Sequence, residues 1–408
     1  MRKGHKWVGL FMLLSALLVV QLGVAGCAPG PPEGAEIRIG VTGGQTGPGA
    51  SSVVALFEEL EYVFSYMNEV EGGIDGVEIR WKIIDNRGTP EGAMMAYKEL
   101  RDTFDPLIYF AVEDYYLLGI MDEIEEDEAV IFTASAIQKP AFVPASRFFS
   151  LAIPIPDGFA GYVQWVLENH EGPGMPKIGV LYWGDLPTGA QWQMAQAWVM
   201  KQGVELEVVE YPIATRDLKP QLMLLRDADV DYIWMLGVSG NAALAVGDYL
   251  GLGLGGTIPF CFNEYVVSDE LLGMVGGAAQ GFYIYRSEVP YSDQTEAAEL
   301  YTKIWQWATD EDKWSDNRLL ITLKAAITAA VRQAVADVGW ENLDSAAIYD
   351  ALTGLTEIDT WGNCAGFGFG PSKRVGVSTM KIARFTKDGT VAVSDLIELP
   401  RTFEGIDQ

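Results

Sequence analysis

Histidine, cysteine and positive charge are all scarce in this 408-residue chain, which has two histidines, three cysteines and 28 basic residues against 56 acidic ones. Only His170 lies beyond the first 26 residues, in a polar stretch from 168 to 174. A histidine-rich metal site is therefore excluded, and Ser-His-Asp catalysis has almost nothing to draw on. The acidic excess, a formal charge of −28, favours solubility, repels nucleic acid and anionic lipid, and speaks against an anionic ligand. Cys261 and Cys364 are open to two readings, one long-range disulfide in an oxidising compartment or two buried thiols, because separation along the chain does not set their distance. No cofactor or metal is called for.

Several motif-like strings fail on context. Gly251-Leu252-Gly253-Leu254-Gly255-Gly256 has the spacing of a dinucleotide fingerprint, but that motif needs a strand before it and a helix after it, and here the order is reversed. It reads instead as a helix end turning into a strand. Gly237-Val238-Ser239-Gly240 lacks the spacing of a nucleophile elbow. Glu125-Glu126 sits at an exposed helix end, which leaves acid–base glycosidase chemistry without support.

What is present begins with a leader. Arg2, Lys3 and Lys6 precede an apolar run from Trp7 to Val20, too short for a membrane span of about 20 apolar residues. The run leads into Val24-Ala25-Gly26-Cys27 and then Ala28-Pro29-Gly30-Pro31-Pro32. This resembles a bacterial lipobox, which implies cleavage after residue 26, diacylglycerol on the Cys27 thiol, and a tether over residues 27–35. Two acyl chains give stable anchoring where one does not, so the protein is expected to sit on a membrane without crossing it. Loss of the leader's three basic residues takes the formal charge from −28 to −31.

The remaining length is too great for one ordinary core and suits two domains. From Glu36 the chain alternates short β-branched runs with longer segments of helical period, the pattern of βαβ units on a parallel sheet. Strands are expected at 37–41, 77–84, 107–112 and 130–133. Helices are expected on the face formed by Val53, Leu56, Phe57, Leu60, Val63, Phe64 and Met67, then at 90–102 and 117–127. Pro154-Ile155-Pro156-Asp157-Gly158 interrupts the pattern and suits a crossover. A second series follows, with strands at 178–182, 206–211, 232–236 and 257–262 and helices at 191–201, 218–226 and 242–250. A long helix at 319–338 and a hairpin of strands 377–385 and 391–396 turning at Lys387-Asp388-Gly389-Thr390 come last. The fold class is α/β: two doubly wound parallel-sheet lobes joined by crossovers. Lobe 1 is expected from residues 36–155 with about 286–355, and lobe 2 from about 156–285 with 356–408. Ligands of such sheets bind at the carboxyl ends of strands, and two lobes facing each other make a cleft that closes by hinge motion.

The order of local motifs resembles the type I periplasmic binding proteins of branched-chain amino acid (leucine, isoleucine, valine) importers. Ile37-Arg38-Ile39-Gly40-Val41 leads to Thr46-Gly47-Pro48, a helix ending in Met67-Asn68, the turn Gly72-Gly73-Ile74-Asp75-Gly76, a strand ending Ile83-Ile84-Asp85-Asn86, and a helix opened by Pro90. The resemblance implies a non-catalytic protein that captures a small polar solute (an amino acid, amide or related amine) and delivers it to the permease subunits of an ABC importer. It also implies a monomer outside the cytoplasmic membrane. A ligand-sensing regulator of the same fold is the alternative, and a surface hydrolase has the least support.

Carried over residue by residue, the ligand-carboxylate loop of the amino-acid binders falls on Glu113-Asp114-Tyr115-Tyr116, with acid in place of hydroxyl. The next contact loop falls on Ala134-Ser135-Ala136-Ile137-Gln138, and a second-lobe tyrosine is replaced by Val238. The acid that takes the ligand ammonium falls on Glu264, in Phe262-Asn263-Glu264-Tyr265. The candidate ligand-binding set is therefore Ser52, Asp114, Tyr115, Ser135, Ala136, Gln138, Val238 and Glu264, with Tyr115, Trp183 and Tyr265 able to stack on a cationic group. The acid in place of hydroxyl points away from leucine-like ligands and toward an amine, amide or cation.

Overall fold

The computed structural model describes residues 30–402 except 48–49, 137–138, 185–188, 291–292, 312–314 and 316–317, so Cys27 and Gln138 lie outside the described residues. The first sheet comprises β1 (Glu36–Gly43), β2 (Glu78–Asp85), β3 (Ile108–Ala111), β4 (Ile131–Thr133) and β5 (Phe148–Ser150), all parallel, in the order β2-β1-β3-β4-β5. The second repeats that order in β7 (Glu205–Tyr211), β6 (Lys177–Trp183), β8 (Tyr232–Met235), β9 (Phe260–Phe262) and β10 (Tyr283–Arg286). Antiparallel β11 (Thr379–Phe385) and β12 (Thr390–Ala392) extend it, and β13 (Ile397–Glu398) pairs with β11. In each sheet the connections reverse direction beside the first strand, which places the open crevice between β1 and β3 in one lobe and between β6 and β8 in the other.

The helices are α1 (Ala50–Glu69), α2 (Pro90–Phe104), α3 (Met121–Glu126), α4 (Ile155–Asn169), α5 (Gly189–Lys201), α6 (Lys219–Asp227), α7 (Ser239–Gly251), α8 (Ser268–Val275), α9 (Glu296–Thr309), α10 (Leu319–Val338) and α11 (Ser345–Gly354). Local chemistry explains α2 well. The Thr89 side chain accepts the Gly92 N–H, Pro90 occupies the first turn, and Ala93, Ala96, Tyr97 and Leu100 form one buried stripe. Asp105 ends the helix in the left-handed region at φ 50°.

The motifs that carried the family resemblance are structural. Asn68 acts as a short extra strand for β2, its Nδ2 donating to the Ile79 carbonyl at 2.7 Å and its Oδ1 accepting the Ile79 N–H at 2.9 Å. Gly73 has φ +79°, and a Cβ there would lie 2.0 Å from the Val77 carbonyl oxygen, so the turn between α1 and β2 requires glycine. Asp85, at the end of β2, accepts from the N–H groups of Gln45, Thr46 and Arg87 and from the Thr46 hydroxyl.

Three expectations change. The proline-rich stretch at 154–158 is the start of α4 and not a break, because proline in a first helical turn forfeits no hydrogen bond and its φ is already helical. The helix expected at 117–127 is a 3-10 segment, Tyr115–Ile120, followed by the separate α3, with non-helical ψ at Ile120 between them. The last hairpin strand is shorter than expected, ending at Ala392.

The chain crosses between lobes three times. After β10 it returns to the first lobe, where the Tyr301 hydroxyl donates to Glu59 at 3.0 Å, Arg332 pairs with Asp75 at 2.8 Å and the Ser345 hydroxyl donates to the Leu107 carbonyl at 2.9 Å. It stays there past residue 355: Phe369 packs on Phe132 and Phe149, and Val375 bridges Ser150 before β11 begins. Helix α10 is, among the described residues, the one helix long and apolar enough to cross a membrane, and 61% of its apolar window is buried in the protein. Cys261 and Cys364 are buried free thiols, which resolves the disulfide alternative.

Candidate functional site

The carboxyl ends of the first-lobe strands are tied into one rim by acids. Glu113, after β3, accepts from the Gly44 N–H at 3.3 Å and the Asn86 side chain at 3.1 Å, so it clamps the loops after β1 and β2. Burial pushes its carboxyl above the usual range, against the pull of those donors. Asp114 is fully buried. Its Oδ1 lies 2.6 Å from the Ser135 hydroxyl, which also accepts the Asp114 N–H at 3.2 Å and lies 3.1 Å from the Val112 carbonyl. Asp114, Ser135 and the buried Ala136, nominated from two separate loops, therefore meet at the ends of β3 and β4. Tyr115 opens the 3-10 turn beside them, and Ser52 sits, partly buried, in the first turn of α1.

The second-lobe rim is built from amides and aromatics. Asn263, fully buried after β9, accepts the Gly237 N–H at 2.8 Å. Asn241 in α7 accepts from Val238 N–H and from Trp183 Nε1, both at 3.4 Å, and donates to the Ile213 carbonyl. Trp183 is thus held within the lobe, and Val238 stands partly buried before α7. Tyr265 reaches across. Its hydroxyl oxygen is buried, and burial pushes it well up, with the charges of Glu264 and Asp114 adding to the push.

Glu264 does something its position in the sequence did not foretell. Its Oε1 accepts the Ile153 N–H at 2.5 Å, from the first crossover, and its Oε2 lies 3.0 Å from the Ser287 hydroxyl and 3.3 Å from the Ser287 N–H, at the start of the second. Arg286, with no exposure, donates to the backbone carbonyls of Glu264 and Val266 at 3.1 and 2.9 Å. Burial first, and the neighbouring Glu288 second, push the Glu264 carboxyl up to about 8. Sequence reasoning missed Arg286, Ser287 and Glu288. The available signal was a charged pair bracketing a serine at the end of an apolar strand.

A family model described as periplasmic binding protein matches residues 36–390. Among solved structures, a branched-chain amino acid ABC transporter protein from Thermus thermophilus with bound valine superposes with a TM-score of 0.81 at 18% identity, covering 93% of this chain and 100% of that one. A fatty acid ABC transporter substrate-binding protein from Thermomonospora curvata gives a TM-score of 0.75 at 18% identity, covering 92% and 96%. The isoleucine complex of a branched-chain amino acid transporter substrate-binding protein from Streptococcus pneumoniae gives 0.71 at 14% identity, covering 90% and 100%. No curated protein matches the sequence significantly. At these identities the structures share the fold, while the family model spans most of the sequence; the chain belongs to the periplasmic binding protein family, in its type I architecture of two α/β lobes.

Proposed function

We propose that this protein is a lipid-anchored, non-catalytic binding protein that captures a small amine-bearing solute outside the cytoplasmic membrane and hands it to an ABC importer. The observation that supports the solute class is that acids stand just beyond strand ends in both lobes: buried Asp114 after β3, held by the Ser135 hydroxyl, and Glu264 after β9, held by the Ile153 N–H and the Ser287 hydroxyl. Carboxylates in a site that closes and excludes water attract a cationic group far more strongly than they do in bulk solvent. Ser52, Ser135, Ala136 and Val238 are proposed to complete the lining, and the family resemblance adds Tyr115 and Gln138 to the candidates. The valine- and isoleucine-bound relatives support an amine-bearing solute, and the acids of the first-lobe rim, where the family resemblance implies a hydroxyl, point away from a simple leucine-like ligand.

Thermal shift of the purified mature chain against amino acids, amides, urea, polyamines and fatty acids tests the solute class. A true ligand at a hundred times its Kd stabilises by about 2.7 kcal/mol. Stabilisation by an amine-bearing compound is expected. Silence across all the amines and amides, or stabilisation by fatty acid alone, defeats the reading. Anchoring is tested separately, since Cys27→Ser is expected to abolish fatty-acid labelling of the protein in cells; label that persists removes the lipid anchor.

A further inference from the structure

Ser287 stands between two carboxyl groups. Its Oγ lies 3.0 Å from Glu264 Oε2 and 3.2 Å from Glu288 Oε2, and Ser287 and Glu288 are about 5% and 4% exposed. A hydroxyl has one proton to donate. If both carboxyls were ionised, one of these contacts would set a carboxylate oxygen against a lone pair in a buried site. Both contacts are satisfied when one carboxyl is protonated and donates to Ser287, which then donates to the other. The Arg286 guanidinium lies 4.0 Å from Glu288 Oε2, which favours the proton on the Glu264 side of Ser287. Glu264 then carries the proton and still accepts the Ile153 N–H through its other oxygen.

We propose that Glu264, Ser287 and Glu288 share a single proton that holds the first and second crossovers together, so that loss of this proton loosens the hinge and a cation in the cleft can take its place. The surroundings agree. Among the described residues, Tyr265 from the same loop, Tyr285 and Arg286 from β10, Cys364 from the loop before the third crossover and Asp114 from the first lobe are titratable or charged groups near the cluster, with Arg318 at the start of α10 and Asp157 at the start of α4 behind them. Arg286 is the cation that pulls on Glu264, and burial and Glu288 outweigh it.

The direction follows from linkage. The folded, crossover-bound Glu264 binds its proton more tightly than a solvated carboxyl does, so its contribution to this arrangement is complete at low pH and is lost as pH rises through about 8. Opening solvates the freed carboxylate and separates it from Glu288.

Infrared titration and small-angle scattering of the full mature chain, with no solute, test this together. The wild type is expected to show a protonated-carboxyl band that disappears with a midpoint near pH 8, and an increase in radius of gyration over the same interval. Glu264→Gln keeps the neutral shape, the acceptor for the Ile153 N–H and a donor for the Ser287 hydroxyl, and is expected to lose that band and stay compact throughout. Glu288→Gln removes the repulsion and is expected to move both midpoints down by about one pH unit or more. A wild type without the band at neutral pH, a band that survives in Glu264→Gln, or a radius of gyration that ignores pH or follows it equally in Glu264→Gln overturns the proposal.

Discussion

Arg374→Ala is expected to destabilise the protein by about 3 to 5 kcal/mol, the sum of a cavity and several orphaned acceptors. Arg374 is 1% exposed. Its Nε donates to the Ser146 carbonyl at 2.5 Å, its Nη1 to the Gly370 carbonyl at 2.6 Å and its Nη2 to the Tyr349 hydroxyl at 2.6 Å. The guanidinium also lies 4.8 Å from the ring centre of Phe149 and 5.1 Å from that of Tyr349. One side chain therefore fastens the segment leading into the third crossover to β5 and to α11. Burial lowers the guanidinium's proton affinity, and the Tyr349 hydroxyl opposes that. Lysine is not expected to rescue the variant, because a point charge cannot reproduce a planar fork that meets three acceptors and two aromatic faces. Urea unfolding followed by circular dichroism checks this, and a midpoint for Arg374→Ala within error of the wild type would show that the fastening is not needed.

The second large effect concerns binding. For whichever amine-bearing solute the thermal-shift panel identifies, Glu264→Ala is expected to weaken affinity by about 30-fold to several thousandfold, since removing one member of a desolvated charge pair costs roughly 2 to 5 kcal/mol. Because a cation must displace the proton held by Glu264, affinity in the wild type is also expected to fall as pH drops below about 8, by up to tenfold per pH unit. Calorimetric titration across pH reads both. Unchanged affinity in Glu264→Ala removes Glu264 from the solute's contacts, and affinity that does not vary below neutral pH removes the proton exchange.

The features legible in the sequence are those whose physics is local. The Pro90 opening of α2 and the turn at Gly72–Gly76 were read from adjacent residues, and the structure adds the Thr89 cap within the same turn and the Asn68 contact to Ile79 eleven positions on. Asp114 and Ser135 were nominated from separate loops, and they meet because consecutive parallel strands bring their carboxyl ends side by side. The stretch at 154–158 does adjoin the first crossover at Ile153, but it also opens α4, because two prolines suit a break and a helix start equally well until the downstream apolar face is recognised.

The sequence by its period thus determined the alternating architecture, while the acidic loop Glu113-Asp114 and the candidate role of Glu264 came from the family resemblance carried over residue by residue. Tertiary structure alone decided what Glu264 touches, because its partners Ile153 and Ser287 lie 111 residues before it and 23 after it and meet only where two crossovers pass side by side. It likewise decided that Arg286 and Arg374 are interior residues. Arginine is ordinarily a surface residue, and only converging carbonyl groups from distant segments make its burial stable.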